Sequence, residues 1–295
     1  MEHVEIALLG PLVVRVGGVD AVPPAPQQRR LLALLAVNAG REVGMAAIEE
    51  ELWSGRPPAR PAAVVQTYVK ELRQRITGGS PGLPVDAKQV LGRGRHGYRL
   101  GTSAGDTDAR AFETAVRGAR RAAESGDHAA ASRILTTALA LWRGPALDDV
   151  RGGGAVQAEA IRLDELRAAA LEARIEADLH LGRHAFVVGE LAALTRLNPL
   201  QEGLHAQLML ALYRSGRPSH AFEVYGRIRA ALVGELGIEP SSRLRALHRA
   251  LLTADPGLDP PVPHAVPVPV PHAVPVPVPV PHAVPVPIRV PSGVS

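Results

Sequence analysis

The chain has 295 residues, a formal net charge of +4, 46% hydrophobic residues and only 3% aromatic residues. This length allows two domains, whose cores must be built from Ala, Leu and Val. The absence of cysteine excludes disulfides and thiolate metal sites. The first residues lack the basic region and long apolar run of a signal peptide, and no stretch approaches the roughly 18 apolar residues of a membrane span. We therefore expect a cytoplasmic protein without membrane association.

The first hundred residues predict strands, three helices and a hairpin. Residues 4–16 are β-branched and apolar, interrupted by Gly10-Pro11, and predict a short strand pair. Apolar periodicity predicts the three helices at about Gln28–Ala39, Met45–Trp53 and Ala62–Ile76. Ser54–Pro58 is expected to be a loop because two prolines and a glycine stop a helix.

A glycine-rich turn at residues 92–97 is expected to join two strands. Val85–Leu91 and Tyr98–Thr102 flank it and are predicted as the two arms of a hairpin. Because side chains alternate along a strand, Arg99 is expected to face away from the core if Tyr98 and Leu100 face inward.

Positive charge is concentrated in residues 56–100, which hold nine Lys/Arg and two acids, a net of +7. Residues 105–295 are neutral, with 20 basic and 20 acidic side chains. A focused basic surface on a helix and a turn is typical of a protein that binds duplex DNA.

The helix at Ala62–Ile76 has two different faces. One is an apolar stripe at helical spacing: Val65, Val69, Leu72 and Ile76. The other carries amides and cations, which can pair with adenine and guanine in a major groove. Taken alone, this pattern also fits an ordinary amphipathic surface helix. The neighbouring turn, with Arg93, Arg95 and His96, favours winged-helix DNA binding over a solvated turn.

Residues from about Asp106 to Ala254 predict helices only. Two similar breaks, at Leu181-Gly182-Arg183 and Ser215-Gly216-Arg217, place their glycines 34 residues apart, which is the tetratricopeptide (TPR) period. The segment 256–295 holds 14 of the 27 prolines and repeats Pro-His-Ala-Val-Pro-Val-Pro. Such a sequence predicts an extended, disordered tail. We interpret the tail as a spacer; the alternative is that it binds a proline-recognising partner.

No sequence motif indicates catalysis, a metal or a cofactor. The run Glu49-Glu50-Glu51 is expected to be a solvated helix face, because consecutive carboxylates point in different directions. The chain contains no phosphate-binding loop. His264, His272 and His282 merely follow the tail repeat. We therefore predict a protein that is not an enzyme and that needs no cofactor or metal.

Several stretches resemble one family of regulators. Residues 26–35 (PQQRRLLALL), 51–59 (ELWSGRPPA) and 66–73 (QTYVKELR) resemble the OmpR-type winged-helix domain of the Streptomyces antibiotic regulatory protein (SARP) family. Residues 138–147 (ALALWRGPAL), 207–217 (QLMLALYRSGR) and 235–240 (ELGIEP) resemble the bacterial transcriptional activator domain that follows it.

The resemblance implies a mainly α protein with three regions: a winged-helix DNA-binding domain at residues 1–104, a TPR-like activator domain at 105–255, and the low-complexity tail at 256–295. It implies an activator of secondary-metabolite gene clusters that binds direct repeats in promoter DNA and recruits RNA polymerase holoenzyme. The protein would be cytoplasmic and nucleoid-associated, and a homodimer on DNA is left open.

Residue roles follow from the same resemblance. The helix at 62–76 would read bases, the turn at 92–97 would be the wing, and the loop Ser54–Pro61 would correspond to a segment that touches polymerase. The candidate DNA-binding residues are Arg60, Gln66, Thr67, Lys70, Arg73, Gln74, Arg93 and Arg95. The alternative is a helical-repeat interaction module whose N-terminal domain docks protein rather than DNA, although such a domain needs no stretch of +7.

Overall fold

The computed structural model describes residues 4–78, 86–101 and 107–259, which belong to one compact unit, Met1–Pro261. The described chain is mainly helical with two small sheets. Residues 260–295 of the predicted proline-rich tail lie outside the described residues. The tail prediction is wrong for its first residues, since Pro256–Leu258 form a 3-10 helical turn and the Leu258 carbonyl oxygen accepts a hydrogen bond from Arg214 at 2.7 Å. Within the described part, no helix is long and apolar enough to cross a membrane.

The N-terminal strand pair is confirmed and is extended by a third strand. The first sheet has the order β1-β2-β3, with β1 at Val4–Ala7, β2 at Val13–Val16 and β3 at Val19–Asp20. β1 and β2 are antiparallel, with Val4 opposite Val16. Alternate valines are buried against the helices that follow, as expected for a sheet with one covered face.

The three predicted helices are also confirmed. They are α1 at Pro26–Val37, α2 at Met45–Trp53 and α3 at Pro61–Gly78, and the short strand β4 at Val43–Gly44 precedes α2. α1 buries an unbroken leucine-rich stretch at residues 31–36. Pro61 begins α3, a position where its missing N–H costs no helical hydrogen bond.

The hairpin forms, but one of its predicted arms is wrong. The short helix α4 occupies Ala87–Val90, and the strands are β5 at Leu91–Arg93 and β6 at Gly97–Leu100. Helix replaces strand before Leu91 because the Asp86 side chain accepts a hydrogen bond from the Lys88 N–H at 2.9 Å and caps a helical turn. Residues 79–85 and 102–106, with the outer ends of both predicted arms, lie outside the described residues. The second sheet has the order β4-β6-β5.

The helical region begins after Thr107, as predicted. Its helices are α5 at Asp108–Glu124, α6 at His128–Leu139, α7 at Gly154–His180, α8 at His184–Leu197, α9 at Glu202–Arg214, α10 at Pro218–Ala231 and α11 at Ser242–Leu252. The two predicted glycine breaks follow α7 and α9. Gly182 and Gly216 both have φ of 75°, in the left-handed region that glycine adopts without strain.

The hydrophobic core divides within α7 rather than near residue 104. One cluster of buried side chains runs from Val4 to Ala170 and so joins both sheets to α1–α3 and α5–α7. The other runs from Ile175 to Leu251. Phe112 and Trp142 contact edge to face in the first cluster, with ring centroids 5.4 Å apart. The division of the chain into domains at residue 104 stays a prediction, and packing is continuous across that point.

A carboxylate joins the first three helices to the helical region. Glu51 was expected on a solvated face, and for this residue the expectation is wrong, since it is only 2% exposed. Its carboxylate accepts hydrogen bonds from the N–H groups of Gly153, of Ala155 at 2.9 Å and of Val156 at 3.3 Å. It therefore caps the N-terminus of α7, where the glycine at the cap position has no side chain to do so.

Candidate nucleic-acid interface

Helix α3 is held by one face and exposes the other. The predicted apolar stripe is buried throughout, each of its four side chains being at most 2% exposed: Val65, Val69, Leu72 and Ile76. The opposite face exposes four predicted site residues: Gln66, Thr67, Lys70 and Gln74. The burial of one stripe fixes the rotation of the helix, so the amides and the ammonium group must face away from the core.

Arg73 is half-buried and joins the helix to the hairpin. Its Nε and one terminal nitrogen donate to the carbonyl oxygen of Leu91 at 3.0 and 2.8 Å. Leu91 is the first residue of β5, so this two-pronged contact fixes the position of the hairpin against α3. Part of the Arg73 hydrogen-bonding capacity is therefore used within the protein.

The single acid of α3 does not lie on the exposed polar face. Glu71 accepts a hydrogen bond from Nε2 of Gln28 on α1. Its charge is thus directed toward a neighbouring helix and away from Gln66 and Lys70. Asp86, just before α4, places a carboxylate on the same side of α3 as these two residues.

The hairpin exposes its cations and buries its apolar residues. Arg93, Arg95 and Arg99 are exposed, whereas Tyr98 and Leu100 are buried, which confirms the predicted alternation along β6. Arg99 therefore extends from the face opposite Tyr98, whereas Arg93 lies directly across from Tyr98 in the register of β5 and β6 and is exposed beside the turn.

Two glycines and one carboxylate determine the shape of the turn. A Cβ at Gly97 would lie 1.8 Å from the carbonyl oxygen of Val43, so only glycine allows β4 and β6 to approach this closely. Glu42 accepts a hydrogen bond from the His96 N–H at 2.5 Å, and the side chain of a residue at position 94 would collide with this carboxylate. The His96 N–H lowers the pKa of Glu42, because it stabilises the ionised carboxylate.

A cleft of about 580 Å³ lies between α3 and the hairpin. Five of the eight predicted site residues line it, namely Gln66, Lys70, Arg73, Gln74 and Arg93. A smaller cleft of about 130 Å³ beside it is lined by Gln66, Arg93 and Arg95. The site residues of the helix and of the turn are 19 to 29 residues apart in the sequence. They therefore come together in the fold to form one continuous basic surface.

The other two predicted residues lie beside this surface. Arg60 is exposed immediately before α3, and Thr67 is exposed next to Gln66. Within the described chain neither lines the two clefts. The Thr67 hydroxyl donates to the Ala63 carbonyl oxygen at 3.1 Å.

The structure adds two residues that the sequence did not single out. Lys88 lies on α4 and lines the larger cleft. Its charge is part of the basic stretch at residues 56–100, but the sequence predicted a strand at its position. Glu42 supports the turn from a site 54 residues away, and no local sequence signal could have indicated this contact.

The loop after α2 is fully exposed. Residues 54–60, including Arg56 and Arg60, have exposed side chains. Ser54 ends α2 in the left-handed conformation with φ of 49°. The loop thus projects between the helix that carries Glu51 and the helix that carries the candidate DNA-binding residues. No group of three or more histidine and carboxylate side chains in the described residues is placed to hold a metal ion.

Comparison with known proteins identifies the second part of the chain. The family model of the bacterial transcriptional activator domain matches residues 107–252. A solved structure of Mycobacterium tuberculosis EmbR in complex with a low-affinity phosphopeptide is similar, with a TM-score of 0.79 and 36% sequence identity, over 89% of this chain and 67% of that one.

Two relatives from Streptomyces extend the similarity to most of the chain. The regulatory protein AfsR of Streptomyces coelicolor is 38% identical over 252 residues, which are 85% of this chain and 24% of AfsR. The regulatory protein DnrI of Streptomyces peucetius is 45% identical over 270 residues, which are 90% of this chain and 98% of DnrI. The chain therefore belongs to the Streptomyces antibiotic regulatory protein (SARP) family of transcriptional regulators.

Proposed function

We propose that this regulator is a sequence-specific DNA-binding transcriptional activator whose first part is a winged-helix domain. The observation that carries the proposal is the continuous surface formed by the exposed face of α3 and the basic hairpin. Glutamine, lysine and arginine side chains line this surface, and α3 is long enough, at 18 residues, to lie along a major groove.

In this proposal α3 reads bases. Gln66 and Gln74 lie on the exposed face with Lys70 between them, and a glutamine amide matches the donor and acceptor pair of adenine. Lys70 and the free part of the Arg73 guanidinium supply cations to guanine or phosphate. Each well-placed bidentate pair would give roughly 1–3 kcal/mol of discrimination.

The hairpin acts as the wing and contacts the DNA backbone. Arg93 and Arg95 are exposed on the turn side of a strand pair that Gly97 and Arg73 hold in place. Arg60 would contact a phosphate at the start of α3. Backbone contacts position the protein and carry little sequence information, so their loss should weaken binding to all sequences alike.

The remaining parts of the proposal concern partners. We propose that the protein acts in the cytoplasm on a secondary-metabolite gene cluster, through direct repeats near a promoter. Its membership in the SARP family, with DnrI and AfsR as regulatory relatives, supports this role. We propose that the exposed loop at residues 54–61 meets RNA polymerase, and that the helical region at 105–255 is a TPR-like platform for it or for a second protomer.

A footprinting experiment with paired variants tests the proposal. In Gln66→Ala/Lys70→Ala, protection of the promoter repeats should be lost, while heparin retention changes little because most of the basic surface remains. The matched control Gln157→Ala/Arg249→Ala removes one amide and one cation from exposed positions in the helical region, and its footprint should be that of the wild type.

The alternative, a helical-repeat module that docks protein through its N-terminal domain, predicts a different result. It expects no sequence-dependent protection by the wild-type chain at any salt concentration. The DNA proposal expects binding that weakens steeply with salt, with a log–log slope of about −0.9 for each phosphate neutralised. A normal footprint from the Gln66→Ala/Lys70→Ala variant would show that α3 does not read the bases.

A further inference from the structure

A cavity far along the chain from the DNA-binding candidates has the lining of a small-molecule site. It measures about 390 Å³ and lies among α8, α9 and α10. Arg196, His205 and Arg227 give it a polar lining, and Pro199 and Leu208 give it an apolar one. Small-molecule sites typically occupy about 300–1,000 Å³ and combine an apolar wall with a few polar groups. The cavity is open to solvent where Arg196, Pro199 and Arg227 are exposed, and we call it the α8–α10 pocket.

The pocket carries positive charge that the described chain does not neutralise. Neither Arg196 nor Arg227 makes a hydrogen bond or an ion pair through its side chain within the described residues, and no carboxylate lines the pocket. Arg229, on the same helix, shows the contrast. Its guanidinium is held by Glu239 at 2.7 and 2.8 Å. The two pocket arginines are therefore available to an anion.

His205 supplies a polar group in the wall of the pocket. It is 5% exposed, and its Nδ1 lies 3.0 Å from the carbonyl oxygen of Gln201, to which a neutral ring donates. Burial lowers the pKa of His205, as does the charge of Arg227. The hydrogen bond to the Gln201 carbonyl and the nearby Glu202 act in the opposite direction. The Glu202 carboxylate is itself held by the N–H and hydroxyl of Ser241.

The second ring nitrogen of His205 is left as an acceptor. Nε2 makes no hydrogen bond within the described chain. It is accessible to solvent, whereas both ring nitrogens of His184 are fully buried. A neutral imidazole that donates through Nδ1 accepts through Nε2, so a hydroxyl group is the matching ligand function at this point.

We propose that the α8–α10 pocket binds a small hydroxylated organic anion. Arg196 and Arg227 hold its carboxylate or phosphate, His205 accepts a hydrogen bond from its hydroxyl, and Pro199 and Leu208 contact its apolar body. This site lies in the helical region and does not depend on the proposed function in DNA binding.

The test uses the full chain and three aromatic probes: hydroxynaphthoate, hydroxynaphthyl phosphate and uncharged naphthalenediol. Calorimetric titration should show that at least one of the two anions binds. The affinity for the diol should be lower by about tenfold or more, because the diol has no charged group to form charge-assisted hydrogen bonds. The comparison of the two anions decides between carboxylate and phosphate, and either preference supports the proposal. No binding of either anion at millimolar concentration would overturn it.

Paired variants locate the binding. The double variant Arg196→Ala/Arg227→Ala should lower the affinity for the preferred anion by about tenfold or more. The control Arg217→Ala/Arg249→Ala removes the same charge from exposed positions on neighbouring elements and should bind as the wild type does. Equal affinity of the pocket variant and the wild type, or an equal loss in the control, would refute the site.

An NMR measurement provides a second readout that does not rely on substitution. The ring resonances of His205 should shift on titration with the preferred anion, while those of the exposed His220 on α10 stay unchanged. Equal shifts at both histidines would indicate general anion association and would contradict a defined pocket.

Discussion

Replacement of Glu51 by alanine tests whether one buried carboxylate links α2 to α7. In the wild type it accepts hydrogen bonds from three N–H groups at the start of α7, from Gly153, Ala155 and Val156. The variant leaves these donors without a partner in a site that is almost closed to water, because Glu51 is 2% exposed.

The expected loss of stability follows from these contacts. A hydrogen bond to a charged group contributes about 1.5–3 kcal/mol, and an N-cap contributes about 0.5–2 kcal/mol. Because such contributions are not additive and water can enter the space left by the side chain, we expect Glu51→Ala to lower the free energy of unfolding by about 3 kcal/mol. Glu51→Gln keeps an acceptor but loses the charge, so about half of this loss is expected.

Thermal unfolding followed by circular dichroism measures the effect. For a unit of this size, 1 kcal/mol corresponds to about 2–4 °C in Tm, so Glu51→Ala should lower Tm by about 6–12 °C. Glu50 is its exposed neighbour on the same helix, and Glu50→Ala should change stability by no more than about 0.5 kcal/mol. Equal Tm values for the two alanine variants would refute the capping role.

Three further predictions concern the hairpin. Gly97→Ala places a Cβ 1.8 Å from the Val43 carbonyl oxygen, so it should separate β4 from β6, cost about 1–3 kcal/mol and abolish protection of the Val43 amide from hydrogen exchange. The pKa of Glu42 is lowered, so the hydrogen bond that the turn donates to Glu42 is complete above the ordinary glutamate pKa and is lost as pH falls through the lowered value. The chemical shift of the His96 amide should report this transition. Glu42→Gln should remove the transition. Arg73→Lys keeps the charge but not the two hydrogen bonds to the Leu91 carbonyl oxygen, so it should increase the hydrogen-exchange rates of the hairpin amides. Unchanged exchange rates would show that Arg73 does not hold the hairpin and serves only DNA binding.

Local sequence signals were sufficient for most of the secondary structure. Apolar residues at helical spacing located α1, α2 and α3, and the glycine breaks at Gly182 and Gly216 located the ends of α7 and α9. These signals work because both periodicity and left-handed glycine depend on residues close together in the chain. The strand predicted before Leu91 was wrong because the Asp86 side chain caps a helical turn at Ala87–Val90.

The candidate interface was predictable in composition but not in its internal contacts. Exposure of Gln66, Lys70 and Arg99 follows from helical and strand alternation, which the sequence shows directly. The pairing of Arg73 with the Leu91 carbonyl, and of Glu71 with Gln28, depends on how elements approach one another. No spacing rule within one element contains that information.

The sequence by itself determined the class of this protein: a basic helix and turn, a neutral helical region behind them, and motifs that indicated its family. Only the tertiary structure decided which charges are free and which hold the fold together. Glu51 contacts α7 about 100 residues away, and Arg196 and Arg227 meet in one pocket from different helices. Charge is a property of a residue, but its partner is set by packing between distant segments, and that packing determines whether the charge serves stability or binding.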